Sequence, residues 1–264
     1  MDTCFELTRP DGQSPPIRLA GVERAAPGTG QDAPVAVLCH GFTDRMGTEP
    51  LESVAKALLA RGFRVVQFDF DGHGASGGSF AGMTVSKEVL DAQAVLARFA
   101  GRRTALVGHS QGGVVAALAA ARAEKGTVGA LALLAPGSVL RDDAQRGRIF
   151  DASFDPADPP ESVPVMGGRF LLGRGYILDA QSLRIHEEFG NFAAPLCVVH
   201  GTGDRIVPWC CGERFVRDRA ARGKRDAWKL LPGADHTFTA REPEVSAFVA
   251  DFLEGVFFPA PSGK

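Results

Sequence analysis

Apolar residues in this chain fall mainly in short unbroken runs rather than in alternation. The runs are VAVLCH (35–40), FRVVQFDF (63–70), TALVGH (104–109), ALALLAP (130–136), LCVVHG (196–201) and AWKLLPG (227–233), and each predicts a strand. A strand that is apolar at every position is buried on both faces, as in a parallel sheet covered by helices. Ahead of them, CFELT and IRLAGVER predict an opening hairpin pair of strands. The stretches between predict helices over 51–61, 86–100, 112–124, 212–222 and 243–255. Strand and helix in repeated alternation build an α/β fold around a doubly wound, mostly parallel sheet with right-handed crossovers.

One connection breaks the alternation. Residues 137–194 hold no run fit for a central strand. They carry SFDPADPPESVP, rich in proline and acid, then GGRFLLGRGY with the chain's single tyrosine, Tyr176. So long a connection is usually functional. It reads as a cap inserted over the carboxyl ends of the strands, where open α/β sheets bind ligands. The expected organisation is one core, 1–136 with 195–264, and a cap at 137–194, with no internal repeat.

Composition changes this picture little and excludes some partners. The 264 residues are 45% hydrophobic and 23% charged, with net charge −2. That is ordinary for a soluble globule and provides no field selecting nucleic acid or anionic membrane. No apolar run approaches the length of a membrane span. The first residues, MDTCFELTRPDG, lack the pattern of a secretory signal. Five cysteines (Cys4, Cys39, Cys197, Cys210, Cys211) form no C-x-x-C pair and read as free thiols in a reducing cytoplasm, with Cys39 and Cys197 as strand packing. The six histidines show no metal-ligand spacing. The basic group Arg217, Arg219, Arg222, Lys224 and Arg225 reads as a solvated helix end.

The chemistry begins at GHSQGG (108–113), where a buried strand meets an alanine-rich helix. A serine in so sharp a turn needs small residues two places either side, because strand and helix backbones pass close by. Gly108 and Gly112 meet that need, which makes Ser110 a candidate nucleophile. A serine hydroxyl needs a base, and the base needs an orienting acid. HGTGDRIVP (200–208) follows one strand and offers Asp204; LPGADHTF (231–238) follows the next and offers His236. Singly, an aspartate after a strand is a turn residue and a loop histidine is solvated; together they keep the order serine, acid, histidine at three strand ends. Asp235 adjoins His236 too closely in sequence to orient it. His109 reads as structural, and His73, Asp69 and Asp71 in FDFDGHGAS are weaker rivals because they precede the serine. The oxyanion of an acyl-transfer intermediate would take the backbone N–H groups of Gln111 and of Phe42, in the turn HGF (40–42).

HGF, DGHGAS, GHSQGG, GTGDRIVP and GADH together resemble the α/β-hydrolase superfamily over nearly the whole chain. HGFTDR, FDFDGHGASGGSFAGMTV, VGHSQGGVVAA, LLAPGSVLRDDA and YILDAQSLRIHEE are similar to the bacterial cinnamoyl (feruloyl) esterases. The resemblance implies an α/β-hydrolase fold and a serine carboxylesterase acting on hydroxycinnamate esters without metal or organic cofactor. It also implies an acid and a tyrosine of the cap on the ring hydroxyls, here Asp143, with Asp142 as neighbour, and Tyr176. The expected partner is a small-molecule ester; monomer or homodimer stays open. The alternatives are a short-chain carboxylesterase or monoacylglycerol lipase, a serine peptidase, and a non-catalytic receptor of the same fold.

Overall fold

The six unbroken runs all lie in one sheet. The computed structural model describes residues 2–9, 16–223 and 226–259. Its strands are β1 (Asp2–Arg9), β2 (Ile17–Ala25), β3 (Val35–Cys39), β4 (Arg64–Phe68), β5 (Thr104–His109), β6 (Ala130–Leu134), β7 (Arg148–Ile149), β8 (Ala152–Ser153), β9 (Ser162–Val165), β10 (Phe170–Gly173), β11 (Leu196–Gly201) and β12 (Ala227–Leu231). Its α-helices are α1 (Leu51–Ala60), α2 (Val85–Arg98), α3 (Gln111–Arg122), α4 (Leu140–Gln145), α5 (Arg174–Ser182), α6 (Ile185–Phe189), α7 (Cys210–Ala220) and α8 (Glu242–Phe257). The large sheet runs in the order β1-β2-β4-β3-β5-β6-β11-β12. β1 and β2 pair antiparallel, as does β2 with β4, and every later pairing is parallel.

Strands β3, β5, β6 and β11 are buried at every residue, so their apolar runs serve two cores by alternation. Val35, Val37 and Leu106 face α2 and α3 on one side, packing with Val89 and Val115. Ala36, Leu38 and Val107 face α1 and α8 on the other, packing with Leu58 and Leu253. Each fully buried valine or leucine here contributes about 1.5–3 kcal/mol. Helix α2 starts where Thr84 caps it, its Oγ1 accepting from the Lys87 N–H at 3.1 Å.

The segment between β6 and β11 adds nothing to the large sheet. Its strands form two antiparallel ribbons, β7–β8 and β9–β10. It is tied down by Val163, Leu172, Tyr176 and Ile177, buried in the same core as α2 and α3. Asp179 adds a polar tie, accepting from the Ser86 N–H at 2.9 Å.

One of the helix-end arginines departs from the expected solvated end, while Arg217 and Arg222 are exposed. Arg219 is buried, because its guanidinium pairs with Asp226 at 2.6 Å and donates to the Phe192 and Ala194 carbonyls. Arg222 donates to the Gly190 carbonyl. Both join α7 to the chain entering β11, Arg219 buried and Arg222 exposed to solvent. Lys224 and Arg225 lie outside the described residues.

Candidate active site

Ser110 stands at the joint of β5 and α3, near the middle of the sheet. Its backbone lies at φ +55°, ψ −123°, a conformation that persists only where the surroundings enforce it. Those surroundings are tight. A Cβ on Gly108 would fall 2.2 Å from the Gly112 carbonyl oxygen, and one on Gly112 would fall 2.2 Å from the carbonyl oxygens of Cys39 and His40. The turn is also tied to β6: the Ser110 N–H donates to the Leu134 carbonyl, and the Gly137 N–H donates to the Ser110 carbonyl, both at 2.9 Å.

The loops after β11 and β12 bring two side chains to it. His236 Nε2 lies 2.9 Å from Ser110 Oγ, and His236 Nδ1 lies 2.7 Å from Asp204 Oδ2. A carboxylate only accepts, so Nδ1 carries the proton and Nε2 faces the serine as acceptor. Asp204 has a fully buried side chain and a full set of donors. Its Oδ1 takes the Ile206 and Val207 N–H groups at 2.8 Å each, and its Oδ2 takes His236 and also His200 Nε2 at 3.1 Å. Burial alone would raise this acid; the bonds from His200, His236 and Val207 instead hold it well below the usual carboxylate range.

His200 escaped the sequence reading, where it counted as the end of a strand. Its Nε2 also lies 3.1 Å from the Val207 carbonyl, so that nitrogen is the donor. The signal that could have found it is the four-residue interval from His200 to Asp204 in HGTGD.

The other flagged residues sort cleanly. His109 donates through Nε2 to the His236 carbonyl at 2.9 Å, and burial holds its pKa down to about 3. Asp235 accepts the Thr239 N–H at 2.8 Å, and the His236 Nδ1 is held by Asp204 instead. Asp69 accepts from Met46 and Ala75, and Asp71 pairs with Arg9 at 3.1 Å. His73 Nε2 donates to the Phe42 carbonyl at 2.7 Å. His40 Nδ1 donates to the Gly41 carbonyl at 2.9 Å while its Nε2 accepts from the Phe70 N–H, and burial keeps it neutral with a pKa lowered to about 3. The 40–42 turn is thereby fixed beside the serine, since a Cβ on Gly41 would sit 3.5 Å from Ser110 Cβ.

A cavity of about 590 Å³ opens over Ser110 and Gln111, walled by Leu140, Ile149, Phe150 and Met166 of the 137–194 segment and by Ile206. Phe150, at the tip of the β7–β8 ribbon, stacks on Phe42 with ring centroids 4.6 Å apart. Asp143 faces this cavity, whereas Asp142 is exposed outside it. The Asp143 carboxylate is not alone there: Arg148 approaches it to 3.3 Å. Tyr176 lies in the cavity wall, and its hydroxyl donates to Gln111 Oε1 at 2.6 Å. A wider groove of about 650 Å³ lies at the opposite sheet end by Thr104 and Gly129 and has neither serine nor histidine in its lining. Among the described residues no group of three His, Cys, Asp or Glu is placed to hold a metal, and no helix is long and apolar enough to cross a membrane.

This arrangement has relatives. The chain superimposes on Est1E from Butyrivibrio proteoclasticus, solved with ferulic acid bound, with a TM-score of 0.86 and 26% identity over 96% of this chain and 98% of that one. Residues 30–150 match the family described as serine aminopeptidase, S33. The chain has the α/β-hydrolase fold. Among curated relatives, this hydrolase is 28% identical over 252 residues to the monoacylglycerol lipase of Mycolicibacterium smegmatis, covering 82% of this chain and 85% of that protein. It is 27% identical over 248 residues to the lysophosphatidylserine lipase ABHD12 of Danio rerio, covering 87% of this chain; it spans 60% of that longer protein. These likenesses are of the esterase and lipase type of α/β-hydrolase.

Proposed function

We propose that the protein is a serine carboxylesterase in which Ser110, His236 and Asp204 form the catalytic triad. The observation that carries this is the continuous hydrogen-bonded line from Ser110 Oγ through His236 to Asp204, at 2.9 and 2.7 Å, with Ser110 in the lining of the 590 Å³ cavity. His236 Nε2 takes the serine proton as Oγ attacks the ester carbonyl, and Asp204 holds the tautomer and stabilises the imidazolium. The Gln111 and Phe42 N–H groups receive the oxyanion. As the first residue of α3, Gln111 has no intrahelical acceptor for its amide, which leaves that donor for substrate. His236 then protonates the leaving alkoxide, and water repeats the sequence on the acyl-enzyme. The 137–194 segment acts as the cap.

The acyl group we propose is a hydroxycinnamate. Supporting it are the aromatic and aliphatic cavity wall, the Asp143 carboxylate facing in, and the ferulic acid bound in the Est1E structure. The Tyr176 hydroxyl has spent its one proton on Gln111, so it has none to donate to a ring hydroxyl, and Asp143 is the side chain left to hold the phenol. The competing reading is a monoacylglycerol lipase, favoured by the apolar wall and the mycobacterial relative.

The test compares kcat/KM for methyl ferulate, monooleoylglycerol and p-nitrophenyl butyrate, with Ser110→Ala as blank. A ferulate preference lost in the variant is the expected result. Preference for monooleoylglycerol would move the assignment to a lipase. Failure of a fluorophosphonate to label Ser110 would overturn the triad itself.

A further inference from the structure

Gln111 is held at both ends of its side chain. Its Oε1 accepts from the Tyr176 hydroxyl at 2.6 Å, and its Nε2 donates to Glu88 Oε2 at 2.7 Å. All three residues are buried, and each stands on a different element: Tyr176 on α5 of the inserted segment, Gln111 at the head of α3, Glu88 on α2. The second oxygen of Glu88, Oε1, lies 4.0 Å from His73 Nδ1, and the far nitrogen of that ring holds the Phe42 carbonyl. Glu88 thus sits between the Gln111 and Phe42 segments, whose amides are the proposed oxyanion donors.

We infer that Glu88 and Tyr176 are positioning residues, acting through the Gln111 side chain to fix the Gln111 amide in the oxyanion site. The inference rests on the triad reading above. An oxyanion donor works only within about 2.7–3.1 Å of where the charge develops, and each such donor contributes on the order of 10²–10³ in rate. The Gln111 amide directly follows Ser110, whose backbone is itself held in a strained conformation. A side chain bonded at both ends removes the remaining freedom of that peptide. One of those bonds comes from the inserted segment, so the seating of the cap on the core sets the rate of chemistry as well as access.

Three features follow from a role exerted through Gln111. Tyr176→Phe, which removes only the hydroxyl, lowers kcat about tenfold on every acyl group, ring-hydroxylated or not, with KM changed less than about twofold. Glu88→Leu strips the acceptor from Gln111 Nε2 and lowers kcat similarly, while Glu88→Gln keeps an acceptor oxygen and restores kcat to within about threefold of the parent. In a Gln111→Leu background Tyr176→Phe has no further effect, because the two changes break one linkage.

The experiment measures kcat and KM for methyl ferulate, methyl cinnamate and p-nitrophenyl butyrate across these variants, with the rate of Ser110 labelling by a fluorophosphonate as a second readout. Thermal melts confirm that each variant is folded; if Glu88→Leu is not, the Tyr176→Phe and Gln111→Leu cycle decides alone. A loss confined to methyl ferulate and expressed in KM would overturn the inference and make Tyr176 a ligand for the phenol. Additive losses in the cycle would overturn it as well. An unmodified protein that resists the fluorophosphonate would instead refute the triad reading on which it stands.

Discussion

Two sites of buried carboxylate in this molecule, Asp204 and the Glu88–Asp91 pair, respond to burial in opposite ways. Asp204 is met by four hydrogen-bond donors and is held well below the usual range of its type. Glu88 and Asp91, on α2, are as deeply placed but more poorly supplied. Glu88 Oε1 has no hydrogen-bond partner, and burial together with the neighbouring acids Asp91, Asp71 and Asp179 drives the group well above its usual range against the pull of Gln111. Asp91 is pushed up to about 7, mainly by burial; the Asp71 amide and Arg9 pull it back. Depth alone therefore does not decide the charge. The number of donors and the sign of the neighbours do.

The sharpest way to break the comparison is to disarm the well-supplied acid. Asp204→Asn keeps the shape but puts an amide where His236 Nδ1–H requires an acceptor, so kcat on p-nitrophenyl butyrate is expected to fall on the order of 10⁴-fold. A fall of less than tenfold would show that another group orients His236.

Next is the cation of the poorly supplied cluster. Arg9 is buried, hydrogen-bonded to Asp71 at 3.1 Å and to the Lys87 carbonyl at 2.8 Å, and ion-paired with Asp91 at 3.1 Å. Arg9→Met removes the positive charge from between two buried acids and is expected to lower unfolding free energy by about 3–5 kcal/mol in a urea titration. A change under about 1 kcal/mol would mean that the cluster is already neutral.

A smaller effect is expected at His200. His200→Leu removes one of the four donors to Asp204 and should lower stability by about 1–3 kcal/mol at pH 7. The accompanying loss of kcat should stay far short of that in Asp204→Asn, because the bond to His236 remains.

The subtlest contrast is in pH. Asp91 titrates at about 7 when folded against an ordinary value of 3.8, so its charged form costs the fold, and stability attributable to it declines as pH rises from about 4 to 7. Asp204 is shifted down, so its contribution is present above about 3.8 and is lost as pH falls further. Unfolding free energies measured from pH 3 to 8 should show the Asp91→Asn variant flatter than the parent between 4 and 7. Identical profiles would remove Asp91 from the account.

The legible parts of this protein were those whose cause is local. GHSQGG displays the turn because steric demand acts between residues two apart, and the Gly108 and Gly112 approaches are that demand. The strands read correctly because β3, β5, β6 and β11 are buried on both faces and need no polar alternation. Arg219 and Arg9 were opaque for the opposite reason. A cation's burial depends on an acid or carbonyl that the fold brings near: Phe192 and Ala194 for Arg219, Asp71 and Asp91 for Arg9. Only the tertiary structure distinguishes these from solvated arginines.

The sequence by itself determined the sheet, its order of strand and helix, and which strand ends carry serine, acid and histidine. Those follow from short-range periodicity and turn chemistry, which any copy of the chain must obey. What the tertiary structure alone decided is how the polar groups are matched. It set His200 on Asp204, Arg148 on Asp143, and both Glu88 and Tyr176 on the two ends of Gln111. Hydrogen bonds reach about 3 Å whatever the separation along the chain, so their partners are chosen only when helices and loops distant in sequence have packed.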